Sequence, residues 1–139
     1  MENWFNLKNL QRILPRLYAS LPYYLASRYA FPPLHAYFEV TYRCNLRCDM
    51  CHFLEIIEDT EQNRKYKNEL SAETLQQVIQ SLPRWAAITF TGGEALMKSD
   101  FLQIFNNAAK RNKIHIITNG TPLTESMTDH LLENRLKRF

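Results

Sequence analysis

From residue 36 onward the chain alternates. Short runs rich in aromatic and β-branched side chains give way, three times, to segments whose apolar residues recur every three or four positions. Ala36–Tyr42, Ala86–Thr91 and Ile114–Thr118 read as strands. The first predicted helix opens at Ser71, a side chain that can accept from the free N–H groups of a first turn, with Leu70 and Leu75 at staple positions and Glu73 at the positive end. Its apolar face is Leu75, Val78, Ile79 and Leu82, and Pro83 stops it. A second helix is expected from Ser99 or Asp100, burying Phe101, Ile104, Phe105 and Ala108, with Lys110 and Arg111 in its last turn. A third starts near Thr124 and carries Met127, Leu131, Leu132 and Leu136. Strands separated by helices must pair in parallel, and their crossovers are right-handed. At about 30 residues per unit, 36–139 is long enough for three such units. The fold class is therefore α/β, with ligand sites expected beyond the C-terminal ends of the strands.

All three cysteines lie on the loop that leaves the first strand, in Cys44-Asn45-Leu46-Arg47-Cys48-Asp49-Met50-Cys51. Their clustering argues against a disulfide framework and for reduced, metal-binding thiols in a cytoplasmic compartment. A structural zinc needs four closed ligands, and an iron–sulfur cube is normally held by four cysteines. Three thiolates leave a site with one open position. Zinc completed by His52 or His35 is the alternative, disfavoured because adjacent Cys51 and His52 rarely reach one metal together. Gly92-Gly93-Glu94 ends the second strand and Asn119-Gly120 the third, so three loops converge on one sheet edge. Taken singly, Gly92-Gly93 is a tight turn, Glu94 a loop acid and Asn119 a turn residue. Arg43 and Arg47 read either as partners of an anionic group or as solvated loop charges, and His115 and His130 as core or surface residues.

Residues 1–35 form a separate arm. Leu7, Leu10, Leu14, Leu17 and Leu21 fall on one helical stripe, interrupted by Pro15 and Pro22, so two short helices or one kinked helix are expected. Lys8, Arg12, Arg16 and Arg28 against Glu2 account for the whole net charge of +3. That charge is too small to indicate nucleic acid. The arm reads either as a cover for the following domain or as a surface for a partner or a membrane, and Phe31-Pro32-Pro33-Leu34 ends it in an extended linker. The start Met1-Glu2-Asn3-Trp4 lacks a basic region followed by an apolar run, so no signal peptide is expected, and without an apolar run of about 18 residues no membrane span is expected. Residues 52–70, with five acidic and three basic side chains, read as an exposed loop.

Cys44-x3-Cys48-x2-Cys51 after a first strand, with Thr91-Gly92-Gly93-Glu94 after a second, resembles the radical S-adenosylmethionine (radical SAM) superfamily. The flanks, Glu39 to Cys48 and Phe90 to Leu96, are similar to its branch that modifies peptides and other cofactors. The resemblance covers roughly residues 36–136. It implies that Cys44, Cys48 and Cys51 ligate three irons of a [4Fe–4S] cluster while the fourth iron chelates S-adenosylmethionine. Reductive cleavage would then give a 5′-deoxyadenosyl radical that abstracts hydrogen from a substrate. Gly92, Gly93 and Glu94 would hold the methionine amino group, Met50 would pack against the adenine, and Asn119 would contact the ligand. Relatives usually place an aromatic residue where this chain has Met50, and proline where it has Ala95. The resemblance further implies a partial TIM-type barrel of which residues 36–139 supply three of six βα units. A C-terminal half or partner chain would complete that barrel, and a one-electron donor such as flavodoxin or ferredoxin would serve it. The competing reading is a non-catalytic iron–sulfur or zinc module that docks through its arm.

Overall fold

In the computed structural model, the described residues are 7–25, 28–58, 61, 69–134 and 136–138. Contacts divide the chain into two units, Met1–Leu34 and His35–Phe139. In the first, helix α1 (Leu7–Tyr24) is a single helix that runs through both Pro15 and Pro22. Each proline removes one backbone donor, four residues after Gln11 and Tyr18 respectively. Gln11 is exposed, so water can take its freed carbonyl. After the helix the chain folds back on it, with the Tyr18 hydroxyl donating to the Pro32 carbonyl at 2.9 Å and the Tyr18 and Phe31 rings 5.0 Å apart.

The second unit holds a sheet of four parallel strands in the order β1-β2-β3-β4: β1 (His35–Thr41), β2 (Ala87–Gly92), β3 (Lys113–Ile116) and β4 (Leu136–Arg138). Helix α2 (Leu54–Glu58) comes after the cysteine loop, α3 (Ala72–Ser81) joins β1 to β2, α4 (Phe101–Ala109) joins β2 to β3, and α5 (Glu125–Glu133) joins β3 to β4. The strands alternate with helices because each contributes apolar side chains that only a helix face can cover. Ile88, Phe90, Ile114 and Ile116 are buried against Leu75 and Ile79 of α3, and against Phe101, Ile104, Phe105 and Ala108 of α4.

Three expectations change. Residues 136–138 form β4, where the apolar spacing predicts a continuing third helix. The α5 helix ends at Glu133, where the Asn134 side chain donates to the His130 carbonyl, and Leu136 then pairs with Ile114. Helical spacing from Leu132 to Leu136 conceals a change of period. The sheet therefore has four strands, one more than the sequence suggests. The 52–70 stretch contains α2, which buries Ile57; positions 59, 60 and 62–68 lie outside the described residues. Val78 of α3 is exposed, and the helix buries Ala72, Leu75 and Ile79.

At the end of β1 the pairing is irregular. Glu39 pairs with Thr91 and Thr41 with Gly92, so β1 carries one extra residue. Such a bulge bends a strand and re-aims the chain beyond it. Here it turns the chain into the cysteine loop.

Candidate metal and cofactor site

The cysteine loop, the Gly-Gly-Glu turn and the Asn119 loop meet at the C-terminal edge of the sheet, and hydrogen bonds join them. Gly93 N donates to Thr41 O at 2.8 Å, and Glu94 N donates to Arg43 O at 2.7 Å. These bonds press the second turn against the exit of β1. The glycines are required by that approach. At Gly92, φ is 133° and a side chain would run into the Thr41 carbonyl oxygen. At Gly93, a Cβ would stand 2.5 Å from Arg43 O and 2.8 Å from Tyr42 O. The backbone that these glycines admit is thus the protein's own.

Glu94 has no exposed surface. Its Oε1 accepts from Leu96 N at 3.0 Å and from the Thr118 hydroxyl at 2.8 Å, and its Oε2 accepts from Asn119 N at 2.6 Å. An ionised carboxylate offers about four lone-pair positions, so about one remains. This side chain therefore caps the short 3-10 turn Ala95–Met97 and ties it to the end of β3. Asn119 continues the link. Its Nδ2 donates to Asn45 Oδ1 at 3.0 Å and lies 3.9 Å from Cys44 Sγ; Asn45 Nδ2 donates to Thr121 Oγ1 at 2.7 Å; and Thr121 Oγ1 donates back to Asn119 Oδ1 at 2.7 Å. The three side chains close a ring that latches the cysteine loop to the loop after β3.

Cys44 and Cys51 are half-buried, Cys48 is exposed, and all three are free thiols. Leu46 N donates to Cys44 Sγ at 3.4 Å, which orients this thiol within the loop. Arg47 curls onto the Cys44 and Leu46 carbonyls at 3.0 and 2.9 Å, so its charge is used within the loop. Met50 is 92% exposed. Among the described residues no three His, Cys, Asp or Glu side chains are gathered closely enough to hold one ion. His35 begins β1, at the opposite end from the cysteines, where it bonds Thr89 Oγ1 at 2.7 Å; it is not placed to complete a zinc site. The donor set itself, three soft thiols on one short loop at a strand end, suits an iron–sulfur cube with one open position.

An ion network that sequence reasoning missed lies beside this edge. Glu69 accepts from the Thr41 hydroxyl and pairs with Arg43 Nε at 3.0 Å and with Lys98 Nζ at 3.3 Å. Lys98, whose side chain is only 4% exposed, also pairs with Asp100 at 3.0 Å. Asp100 in turn accepts from Ala72 N in the first turn of α3. Nothing in the spacing of these residues marks them, because they come from three separate loops.

The Radical SAM superfamily model matches residues 38–139. A tungsten-containing aldehyde ferredoxin oxidoreductase cofactor-modifying protein of Pyrococcus furiosus is 37% identical over 101 residues, 71% of this chain and 27% of its own length. A probable GTP 3′,8-cyclase of Methanopyrus kandleri is 30% identical over 92 residues, 65% of this chain and 28% of its own. The antilisterial bacteriocin subtilosin biosynthesis protein AlbA of Bacillus subtilis is 33% identical over 95 residues, 66% of this chain and 20% of its own. The chain thus spans less than a third of the length of these curated relatives. The crystal structure of BtrN in an open conformation shares the fold at a TM-score of 0.58 and 23% identity, over 78% of this chain and 49% of that one. Proteins of the superfamily use a [4Fe–4S] cluster and S-adenosylmethionine. Since the family match runs from within β1 through β4 and takes in every loop of the site, the chain belongs to the radical SAM superfamily.

Proposed function

We propose that this chain is the cluster-binding part of a radical SAM enzyme. Cys44, Cys48 and Cys51 would hold three irons of a [4Fe–4S] cluster, leaving the fourth for S-adenosylmethionine. The observation that carries this reading is the meeting of three free thiols with the Gly-Gly-Glu turn and the Asn119 loop at one sheet edge. When bound, the cluster supplies the electron that cleaves S-adenosylmethionine to a 5′-deoxyadenosyl radical.

The protein's own residues would orient and enclose. Gly92 and Gly93 let the turn pack against β1, and Glu94, buried and held by Leu96, Thr118 and Asn119, fixes the turn that would hold the methionine ammonium. Met50, exposed on the loop, is free to pack on the adenine. Asn119 holds the loop through Asn45. In a cube each thiolate would take its own iron, so the three cysteines need not converge on one point. We further propose that β1–β4 open a partial TIM-type barrel completed by a C-terminal half or a partner chain. A flavodoxin or ferredoxin would deliver the electron, in a reducing cytoplasm.

Anaerobic reconstitution with iron and sulfide tests the reading. The cluster absorbance should appear in the parent chain and be lost in Cys48→Ala. An absorbance unchanged in that variant would sink the assignment. A cluster that forms without any 5′-deoxyadenosine release under strong reductant, even with candidate completing chains added, would reassign the protein to a non-catalytic iron–sulfur module.

A further inference from the structure

We propose that α1 and the 28–34 segment lie flat on an anionic lipid surface. At 3.6 residues per turn, Leu10, Ile13, Leu14, Leu17 and Leu21 of α1 share one side, and they are between 45% and 56% exposed. Arg12 and Arg16 stand on the opposite side. Residues 3–34 contain no Asp or Glu. An apolar stripe backed by basic residues alone is the pattern of helices that bury one face at the headgroup–acyl boundary while their cations attract anionic lipid. No helix among the described residues is long and apolar enough to cross a membrane, so this one would rest on the surface.

The segment after α1 extends the same face. Tyr18 holds Phe31 and Pro32 against the helix, and Leu34 joins Leu14, Leu17 and Leu21 around an apolar groove of about 570 Å³. Tyr23, Tyr24 and Tyr29 are exposed near the helix end, where amphipathic rings suit the headgroup layer. Charge decides between lipid and a protein partner. A helical partner chain is registered by charges of both signs along the borders of the stripe. Here the bordering side chains are Gln11, Tyr18 and Ser20, and every charge on α1 is positive.

The test floats the full chain with vesicles of phosphatidylcholine alone, or of equal parts phosphatidylcholine and phosphatidylglycerol. Flotation with the anionic vesicles should exceed that with the neutral ones at least about tenfold and fall as salt rises. Arg12→Gln with Arg16→Gln should weaken it about twenty-five-fold, at roughly fivefold per charge removed near the surface. Leu14→Glu with Leu17→Glu should abolish it while leaving the melting of the 35–139 unit unchanged. A parent chain that floats with neither vesicle overturns the proposal, as does flotation indifferent to the leucine variant. If instead the leucine variant dissolves a dimer and the parent never floats, the stripe belongs to a second copy of the chain. Neither outcome bears on cluster binding, so this proposal and the proposed function fail separately.

Discussion

Glu94 joins the ends of β2 and β3, and its cost of burial is met only while three donors face it. Glu94→Gln replaces one accepting oxygen with a donor that must face an N–H or O–H. That change should destabilise the protein by about 2 kcal/mol, measured by urea denaturation without iron or S-adenosylmethionine. An unchanged midpoint would show that the carboxylate does not serve as this joint. Gly93→Ala forces a methyl against two backbone carbonyls that cannot give way, for a loss of about 3 kcal/mol by the same assay. The sequence marks both residues for a ligand. It does not show that Thr118 and Asn119 are the partners of Glu94, since those lie 24 and 25 residues away and arrive only through the strand order.

The helices of the 35–139 unit are its most legible elements, because their signals are local. Ser71 caps α3 by accepting from Thr74 N at 3.3 Å, and Thr124 caps α5 by accepting from Met127 N at 3.2 Å, as the spacing suggests. Glu73 sits in the first turn of α3. Its own backbone N–H, then the Ser71 hydroxyl and the Gln103 amide, hold its carboxyl below the ordinary value. The stabilisation it gives is present above the unfolded carboxylate pKa and is lost as pH falls through the lowered folded value. The Glu73 carboxyl and the Glu73 backbone amide resonances should therefore titrate together, below the range of a free glutamate. Less legible are features built by remote pairing. β4 is too short to show a period, and the Lys98 network depends on loops that only the fold brings together. Lys98→Met should cost about 3 kcal/mol by urea denaturation, because Glu69 and Asp100 would face each other without their shared cation. A loss within a few tenths would mean that Arg43 alone neutralises Glu69.

At the scale of the whole 35–139 unit, a paired sheet carries an exposed loop. The β1–β3 ladder is internally paired, whereas the 44–51 loop is exposed apart from half-buried Cys44 and Cys51 and is held mainly by Asn45 and Arg47. Hydrogen exchange before and after anaerobic reconstitution should therefore show new protection confined to residues 44–51, with the strand amides unchanged. Protection spreading through β1–β3 would mean that the sheet itself forms only with the cluster. The Asn45–Asn119 bond also joins residues 74 positions apart. At ribosomal rates of about 5–20 residues per second, the cysteines emerge roughly 4–15 s before their latch has been synthesised. During that interval three thiols lie within eight residues on an unsecured segment, open to oxidants and to whatever soft metal arrives first. On the proposed function, the loop is most open to oxidation during translation, before Asn119 exists to latch it, so reducing conditions would matter to the nascent chain before the finished one.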